Sequence, residues 1–203
     1  MEMAPVSGGH PHAKAALVLR DNVRNRAPIE RAYRRAVARA RSEIIIANAY
    51  FVPGRKLRSA LVRAARRGVT VQLLLQGRYE YFMQYYAAKP IYGALLAAGV
   101  QIYEYSPSFL HAKVAVIDGQ WSTVGSSNLD PLSLLLAREA NVLVQDEAFS
   151  RDLRDRLLLA MAHGGSRMDP EAFARRPLRQ RAGEWVAFVL MRVALAVQGK
   201  KYL

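Results

Sequence analysis

The chain has 203 residues, 52% of them hydrophobic, a size that allows one sizeable core and little more than one domain. Lysine and arginine number 30 against 16 aspartates and glutamates, and the resulting charge of +14 favours an anionic partner such as nucleic acid, an acidic membrane or a phosphorylated substrate. The absence of cysteine from the sequence excludes disulfides, thiolate zinc sites and cysteine nucleophiles.

The first half of the chain alternates between short apolar runs and segments in which apolar residues recur at helical spacing. Residues 1–14 lack an apolar run after a basic start, so they do not read as a signal peptide, and we interpret them as a disordered or truncated leader. The predicted elements that follow are a strand at 16–19, a helix from Pro28 to about residue 40, a strand at 44–47, a helix over 57–65 ended by Gly68, a strand at 69–75, a tyrosine-rich loop (Tyr79, Tyr81, Tyr85, Tyr86), a helix at 91–98 closed by Gly99 and a strand at 100–105. This alternation predicts an α/β sheet covered by helices.

The pattern changes after residue 110. Three strand-like runs, at 111–117, 121–124 and 139–144, follow one another with short connections, which predicts antiparallel pairing. Asp118-Gly119 between the first two runs indicates a hairpin turn, because glycine accepts a positive φ at little cost. Asp146 is expected to cap a helix over 147–162, and Gly164-Gly165 to end both that helix and a catalytic domain spanning 15–165.

The remaining segment, 166–203, is basic and then amphipathic. An arginine-rich stretch at 175–181 precedes thirteen residues, 185–197, that are apolar except for Arg192. This run is too short to span a bilayer, which needs about 20 apolar residues. Trp185 at one end and Lys200-Lys201 at the other favour a helix lying in a membrane interface, and a helix docked on the domain fits the pattern equally well.

One stretch combines reactive and phosphate-binding residue types at defined spacing. His111-Ala112-Lys113 is followed after four residues by Asp118, and after six more by Gly125-Ser126-Ser127-Asn128. Alternation along a strand would place His111 and Lys113 on one face. A phosphodiester needs cations and donors on its nonbridging oxygens, which Lys113 and Asn128 can supply. Imidazole is a nucleophile when neutral and a general acid when protonated, so His111 fits either role.

Each of these residues alone would more often be structural, but their joint spacing resembles the HxK, x4, D, x6, GSxN signature, the HKD motif, of the phospholipase D superfamily at every defining position. The resemblance implies an α/β fold in which a sheet of mixed strands has helices on both faces. It also implies a phosphohistidine intermediate at a site built from two HKD motifs, with no metal or other cofactor. The candidate catalytic residues are His111, Lys113, Asp118, Ser126, Asn128 and Glu139.

The resemblance gives the members of this set different roles. Asp118 would support the local structure through hydrogen bonds, and Ser126 would orient its neighbours. Glu139 stands where the superfamily places a carboxylate that binds the second imidazole nitrogen of the motif histidine, although a plain charge at a strand edge is the alternative. Gly125 would allow close approach of the backbone to the substrate.

The sequence around the motif is similar to the second half of bacterial cardiolipin synthases, from about residue 16 into the C-terminal segment. The similar stretches are 48–54 and 125–133. In that family the loop containing Tyr50 and Phe51 lies near the lipid, so Tyr50, Phe51 and Gly125 are candidate substrate-binding residues. Packing alone would explain the two aromatic residues equally well.

The HKD motif occurs once in this sequence, because His12-Ala13-Lys14 has Leu19 where Asp is needed. The chain is therefore expected to be a fragment or split-gene product, or to pair with a second HKD half on another chain. The leading hypothesis is phosphatidyl transfer from one phospholipid to the hydroxyl of another, such as phosphatidylglycerol, at the cytoplasmic face of the bacterial cell membrane, with the chain bound peripherally to its anionic surface. The alternatives are a homodimeric nuclease or phosphodiesterase, for which nucleic acid would be the partner, and an inactive half-domain that binds anionic lipid.

Overall fold

The strands form one mixed sheet in the computed structural model, which describes residues 14–21, 27–78, 82–130 and 138–201. These strands are β1 (Lys14–Arg20), β2 (Glu43–Asn48), β3 (Thr70–Gln76), β4 (Gln101–Tyr105), β5 (Lys113–Ile117), β6 (Trp121–Gly125), β7 (Glu139–Gln145) and β8 (Gly165–Arg167). Their order across the sheet is β1-β7-β6-β5-β2-β3-β4-β8. β3 is parallel to β2 and β4, and the other neighbouring strands are antiparallel.

Helices cover both faces of this sheet, as the sequence predicted. They are α1 (Pro28–Arg39), α2 (Arg55–Arg66), α3 (Phe82–Leu96), α4 (Glu147–Gly164), α5 (Pro170–Ala174) and α6 (Leu178–Lys201). Pro28 lies in the first turn of α1, where its missing N–H costs nothing. Asp146 caps α4 by accepting a hydrogen bond of 2.7 Å from the Phe149 N–H, as predicted.

The central strands are apolar on both faces because each face packs against helices. Alternate side chains of β2 and β3 divide between two cores. The larger core, under α1, α2 and α3, includes Ile44, Ile46, Leu73, Leu75, Tyr33 and Leu61. The smaller core, under α4, includes Ile45, Ala47, Leu74, Val116, Leu157 and Met161. The predicted α/β class and mixed sheet are therefore confirmed.

Two element boundaries differ from the sequence prediction. The third helix begins at Phe82 instead of residue 91, so Tyr85 and Tyr86 are helical, and Pro90 lies inside the helix. The buried residues Ala87, Ala88, Ile91, Tyr92 and Leu95 continue one apolar face across that proline. β8 pairs with β4 beyond residue 165, so the sheet includes residues that the sequence analysis assigned to the C-terminal segment. Tyr79, Tyr81 and all of the predicted leader except Lys14 lie outside the described residues.

The long C-terminal helix α6 packs against α3. Its inner side buries Glu184, Ala187 and Met191, whereas its outer side exposes Trp185, Val186, Leu190 and Val193. Docking on the domain, one of the two alternatives for this segment, is therefore observed, and an apolar stripe remains on the outer side. No helix within the described ranges is long and apolar enough to cross a membrane.

Candidate active site

Five strands bring polar residues to one edge of the sheet. β1, β2 and β6 end there, and β5 and β7 begin there, because neighbours in this part of the sheet are antiparallel. Arg20 is paired in register with Glu139, and Asn48 with Lys113. The register places all four side chains on the face of the larger core. This end of the five strands is called the site edge, and its buried polar residues are Arg20, Asn48, Lys113, Ser127, Asp130 and Asn141.

Lys113 begins β5 and is 5% exposed. Its ammonium donates a hydrogen bond of 3.0 Å to the carbonyl oxygen of His111. His111 itself is exposed and precedes the strand, so the prediction that both residues lie within one strand is wrong. The contact between the Lys113 ammonium and residue 111 nevertheless keeps a cation beside the histidine.

Asn128 lies in the loop that follows β6, and this loop is fastened to the end of β2. Asn48 Oδ1 accepts a hydrogen bond of 3.2 Å from the Leu129 N–H, and the Val52 N–H donates to the Leu129 carbonyl at 2.8 Å. Asn48 pairs with Lys113, so the loop is held beside β5. Asn128 Oδ1 and Asn48 Nδ2 are buried without a hydrogen-bond partner within the described part of the chain, which leaves both atoms available to a bound group. Convergence of His111, Lys113 and Asn128 on one phosphate stays a prediction.

Ser126 and Glu139 contact each other across the gap between β6 and β7. The Ser126 hydroxyl donates to Glu139 Oε2 and accepts a hydrogen bond of 3.1 Å from the Ala140 N–H. Ser126 therefore links the motif loop to the carboxylate. The predicted contact of Glu139 with His111 is not among the hydrogen bonds of the residues that the structure describes, and it stays a prediction.

The structure gives a packing reason for glycine at position 125, which the sequence alone does not reveal. A Cβ at this position would overlap the Ala140 carbonyl and the Asn141 side chain. The buried Asn141 accepts from the Ser127 N–H at 3.3 Å and donates to Thr123 Oγ1 at 3.0 Å, which positions the loop before Asn128. Packing within the chain therefore accounts for glycine at this position, and its role in substrate binding stays a prediction.

Phe51 also belongs to the fold. It is buried in the larger core and forms a parallel bridge with Leu129, so its assignment to lipid binding is wrong and the packing alternative holds. Tyr50 is half-buried beside it, and its role in substrate binding stays a prediction.

Asp118 lies at the opposite end of β5 from Lys113, so its inclusion in the catalytic set is corrected. Its carboxylate accepts hydrogen bonds from the N–H groups of Arg41, Ser42 and Glu43 and from the Ser42 hydroxyl, all at 2.8 to 2.9 Å. Partial burial raises the pKa of Asp118, but these hydrogen bonds together outweigh it and hold the pKa below its ordinary value. The structural role that the resemblance implied is the one observed.

We expect Asp118→Asn to reduce the free energy of unfolding by about 1 to 2 kcal/mol at neutral pH. Asparagine tolerates the positive φ of 53° at this position. The substitution therefore tests the negative charge of the carboxylate and its two acceptor oxygens. A depressed folded-state pKa stabilises the fold above the ordinary pKa of the carboxyl, and that stability is lost as pH falls through the folded-state value. The difference in free energy of unfolding between the parent chain and Asp118→Asn, measured by urea denaturation, should therefore become smaller in acid. A catalytic Asp118 would instead lose turnover without this stability change.

Arg20 is a site residue that sequence reasoning missed. It ends β1, is 2% exposed and donates to Ser127 Oγ at 3.5 Å. Burial lowers the pKa of its guanidinium, and the charges of Glu139 and Asp130 oppose that shift. Arg20 thus links the carboxylate of β7 to the loop that carries Asn128. In the sequence, an arginine directly after an apolar run is only a weak indication of a site residue. The pairing of β1 with β7 is what places Arg20 beside Glu139.

Comparison with known proteins agrees with this geometry. Residues 33–158 match the family model described as cardiolipin synthase, PLD-like domain. The chain is 42% identical over 191 residues to cardiolipin synthase B of Salmonella typhi, covering 94% of this chain and 46% of that protein. It therefore spans about half the length of this curated relative.

Solved structures show the same fold at lower identity. The phospholipase D family member Nuc from Salmonella typhimurium superposes with a TM-score of 0.64 at 18% identity, over 77% of this chain and 98% of that one. Phosphatidylserine synthase from Haemophilus influenzae gives 0.67 at 10% identity, over 94% of this chain and 47% of that one. Family model, relatives and fold agree: the chain belongs to the phospholipase D-like cardiolipin synthase family.

Proposed function

We propose that this chain supplies one of two HKD motifs for phosphatidyl transfer between phospholipids, the reaction of a cardiolipin synthase. The main support for the proposal is the arrangement at one edge of the sheet. There the Lys113 ammonium contacts the carbonyl of residue 111, and the loop of Asn128 is fastened beside β5. The identity to proteins named cardiolipin synthase B supports the substrate class.

The side chains at this edge suit a two-step transfer. In the first step a motif imidazole forms a bond to phosphorus, the bond to the leaving glycerol oxygen breaks, and the imidazolium of the other motif gives that oxygen its proton. In the second step an acceptor hydroxyl loses its proton to the imidazole that protonated the leaving group. Its oxygen forms a bond to phosphorus, and the phosphorus–nitrogen bond of the phosphohistidine breaks, which frees the first imidazole. His111 takes one of these two roles, and Lys113 and Asn128 stabilise the charge on the nonbridging oxygens.

A second HKD half is the partner that this reaction needs. The chain covers 46% of its relative, which leaves room there for another domain of similar size. The outer strands β1, β6 and β7 also expose a continuous apolar face, comprising Leu17, Leu19, Val124 and Val142. An uncovered apolar sheet face is typical of an interaction surface, and we assign it to the second half.

Reconstitution tests the proposed function. The purified chain is assayed for cardiolipin formation on phosphatidylglycerol vesicles, alone and with a separately expressed first half of a matched cardiolipin synthase. We expect negligible activity alone and transfer in the mixture, because one histidine cannot both attack and protonate the leaving group. Cleavage of single-stranded DNA by the chain alone would replace this proposal with the nuclease alternative.

We also propose that the protein binds peripherally to the cytoplasmic face of the bacterial membrane, with the outer side of α6 in contact with lipid. Trp185→Ala with Leu190→Ser should weaken binding to phosphatidylglycerol vesicles by about 2 kcal/mol, roughly 30-fold, because both side chains lose apolar burial. The loss should persist at high salt. The matched control is Phe149→Ala with Leu159→Ser, exposed apolar residues of α4, and equal losses in the two variants would contradict the assignment to α6.

A further inference from the structure

A groove between α1 and α2 is lined mainly by cations. It encloses about 660 Å³, and its charged lining residues are Arg31, Arg34, Arg35, Arg55, Lys56 and Arg63. The small residues Ala38, Ser59 and Ala60 also line it. Like charges on two adjacent helices repel each other, and an anion bound between them would relieve that repulsion.

Within the described residues, one of these six cations forms an ion pair. Arg34 lies 3.6 Å from Glu30, but the exposed residues Arg31, Arg35, Arg55, Lys56 and Arg63 form no ion pair with any carboxylate of the described ranges. Their nearest helical neighbours add to the repulsion, since Arg31 and Arg35 are one turn apart on α1.

The arginines of α4, on the other face of the sheet, show the contrasting arrangement. Arg151 pairs with Glu147 and Arg156 with Asp152, each one turn away along the helix. Arg154 pairs with Glu43. These three α4 arginines are ion-paired, whereas five of the six groove cations form no ion pair within the described residues.

The groove begins next to the candidate active site. Glu30 in the first turn of α1 and Gly54 immediately before α2 line one small cavity together with Asn128. Arg31 and Arg55 are the next residues along these two helices. An anion bound in the groove would thus lie beside the edge of the sheet at which the proposed transfer takes place.

We propose that this groove binds the phosphate groups of anionic phospholipids in a bilayer surface and holds that surface against the site edge. The inference rests on the proposed function for the choice of lipid. Arginine presents a planar set of donors that matches phosphate oxygens. A bilayer is favoured over nucleic acid because α3, which packs against α2, also packs against α6, so the exposed apolar stripe of α6 lies on the same side of the sheet as the groove.

The test compares two triple variants of the full chain that lose the same charge. The groove variant is Arg31→Gln, Arg35→Gln and Arg63→Gln. The control is Arg151→Gln, Arg156→Gln and Arg175→Gln, which removes three exposed arginines that are ion-paired. Sedimentation with phosphatidylcholine vesicles, with and without phosphatidylglycerol, measures binding at low and high salt. Circular dichroism verifies that both variants are folded.

The groove variant should bind the anionic vesicles about 100-fold more weakly at low salt, because each basic residue near an acidic surface contributes about 1 kcal/mol, or about fivefold, and three are removed. The control should bind within about threefold of the parent chain. The difference should shrink at high salt. Equal losses in both variants would overturn the proposal in favour of net charge alone. Loss of single-stranded DNA binding with vesicle binding retained would overturn it in favour of nucleic acid. Vesicle binding is read without turnover, so failure to form cardiolipin in reconstitution would refute the proposed function separately.

Discussion

His111→Ala should abolish cardiolipin formation by the reconstituted pair of halves, lowering the rate by about 10⁴-fold or more. Among the described residues at the site edge, His111 is the one imidazole, the group that can both bond to phosphorus and transfer a proton. The loss should be of turnover, with vesicle binding and thermal unfolding unchanged, because His111 is exposed and contributes its carbonyl, not its ring, to the observed hydrogen bonding. The rate of cardiolipin formation from phosphatidylglycerol measures it.

The matched control is His163→Ala, since His163 is an exposed histidine near the end of α4 and far along the chain from the motif. Its activity should equal that of the parent chain. If His111→Ala kept more than about a hundredth of the activity, the imidazole would be at most one of several acids and bases, and the phosphohistidine mechanism would have to be abandoned for this half. Trapping of phosphate on the parent half, but not on the variant, would identify His111 as the nucleophile.

The strands and helices were predictable where local pattern and packing agree. The β-branched run of β2 indicates a strand buried on both faces, and Asp146 caps α4 as a local signal should. The third helix was predicted too short because Pro90 interrupts the pattern, and burial of residues on both sides of the proline outweighs its local effect. β8 is three residues long and carries no periodicity, so only its pairing with β4 reveals it.

The candidate site was predictable as far as the motif reaches. His111, Lys113 and Asn128 stand at motif positions, whereas Arg20 and Asn48 lie far from them along the chain. Polar residues at strand ends usually face water, so nothing local indicates that these two are buried. Their positions follow from the pairing of β1 with β7 and of β2 with β5, which sequence periodicity does not specify. Asp118 stands at a motif position but lies away from the site. Its hydrogen-bond partners at 41–43 reach it through the same pairing of β5 with β2.

Arg20→Met should be the most destabilising substitution at the site edge, lowering the free energy of unfolding by about 3 to 5 kcal/mol. Methionine retains most of the apolar volume of the arginine stem, so the expected loss is electrostatic. The positive charge of the guanidinium interacts favourably with Glu139 and the buried Asp130, and the substitution removes this compensation from both carboxylates. Urea denaturation followed by circular dichroism measures the change.

A double-variant cycle separates this explanation from simple loss of packing. If Arg20 acts by compensating the charge of Glu139, then Glu139→Gln should cost much less in the Arg20→Met background than in the parent chain, with a coupling of about 1 to 3 kcal/mol. Arg20→Lys retains the charge and should recover part of the stability. The lysine ammonium cannot reproduce the forked donors of the guanidinium, so the loop from Ser126 to Asn128 should remain less well held. Turnover of the reconstituted pair should therefore stay reduced. Additive losses in the cycle would mean that Arg20 stabilises β1 through its stem alone, and the proposed link from Glu139 to the loop of Asn128 would then have no energetic basis.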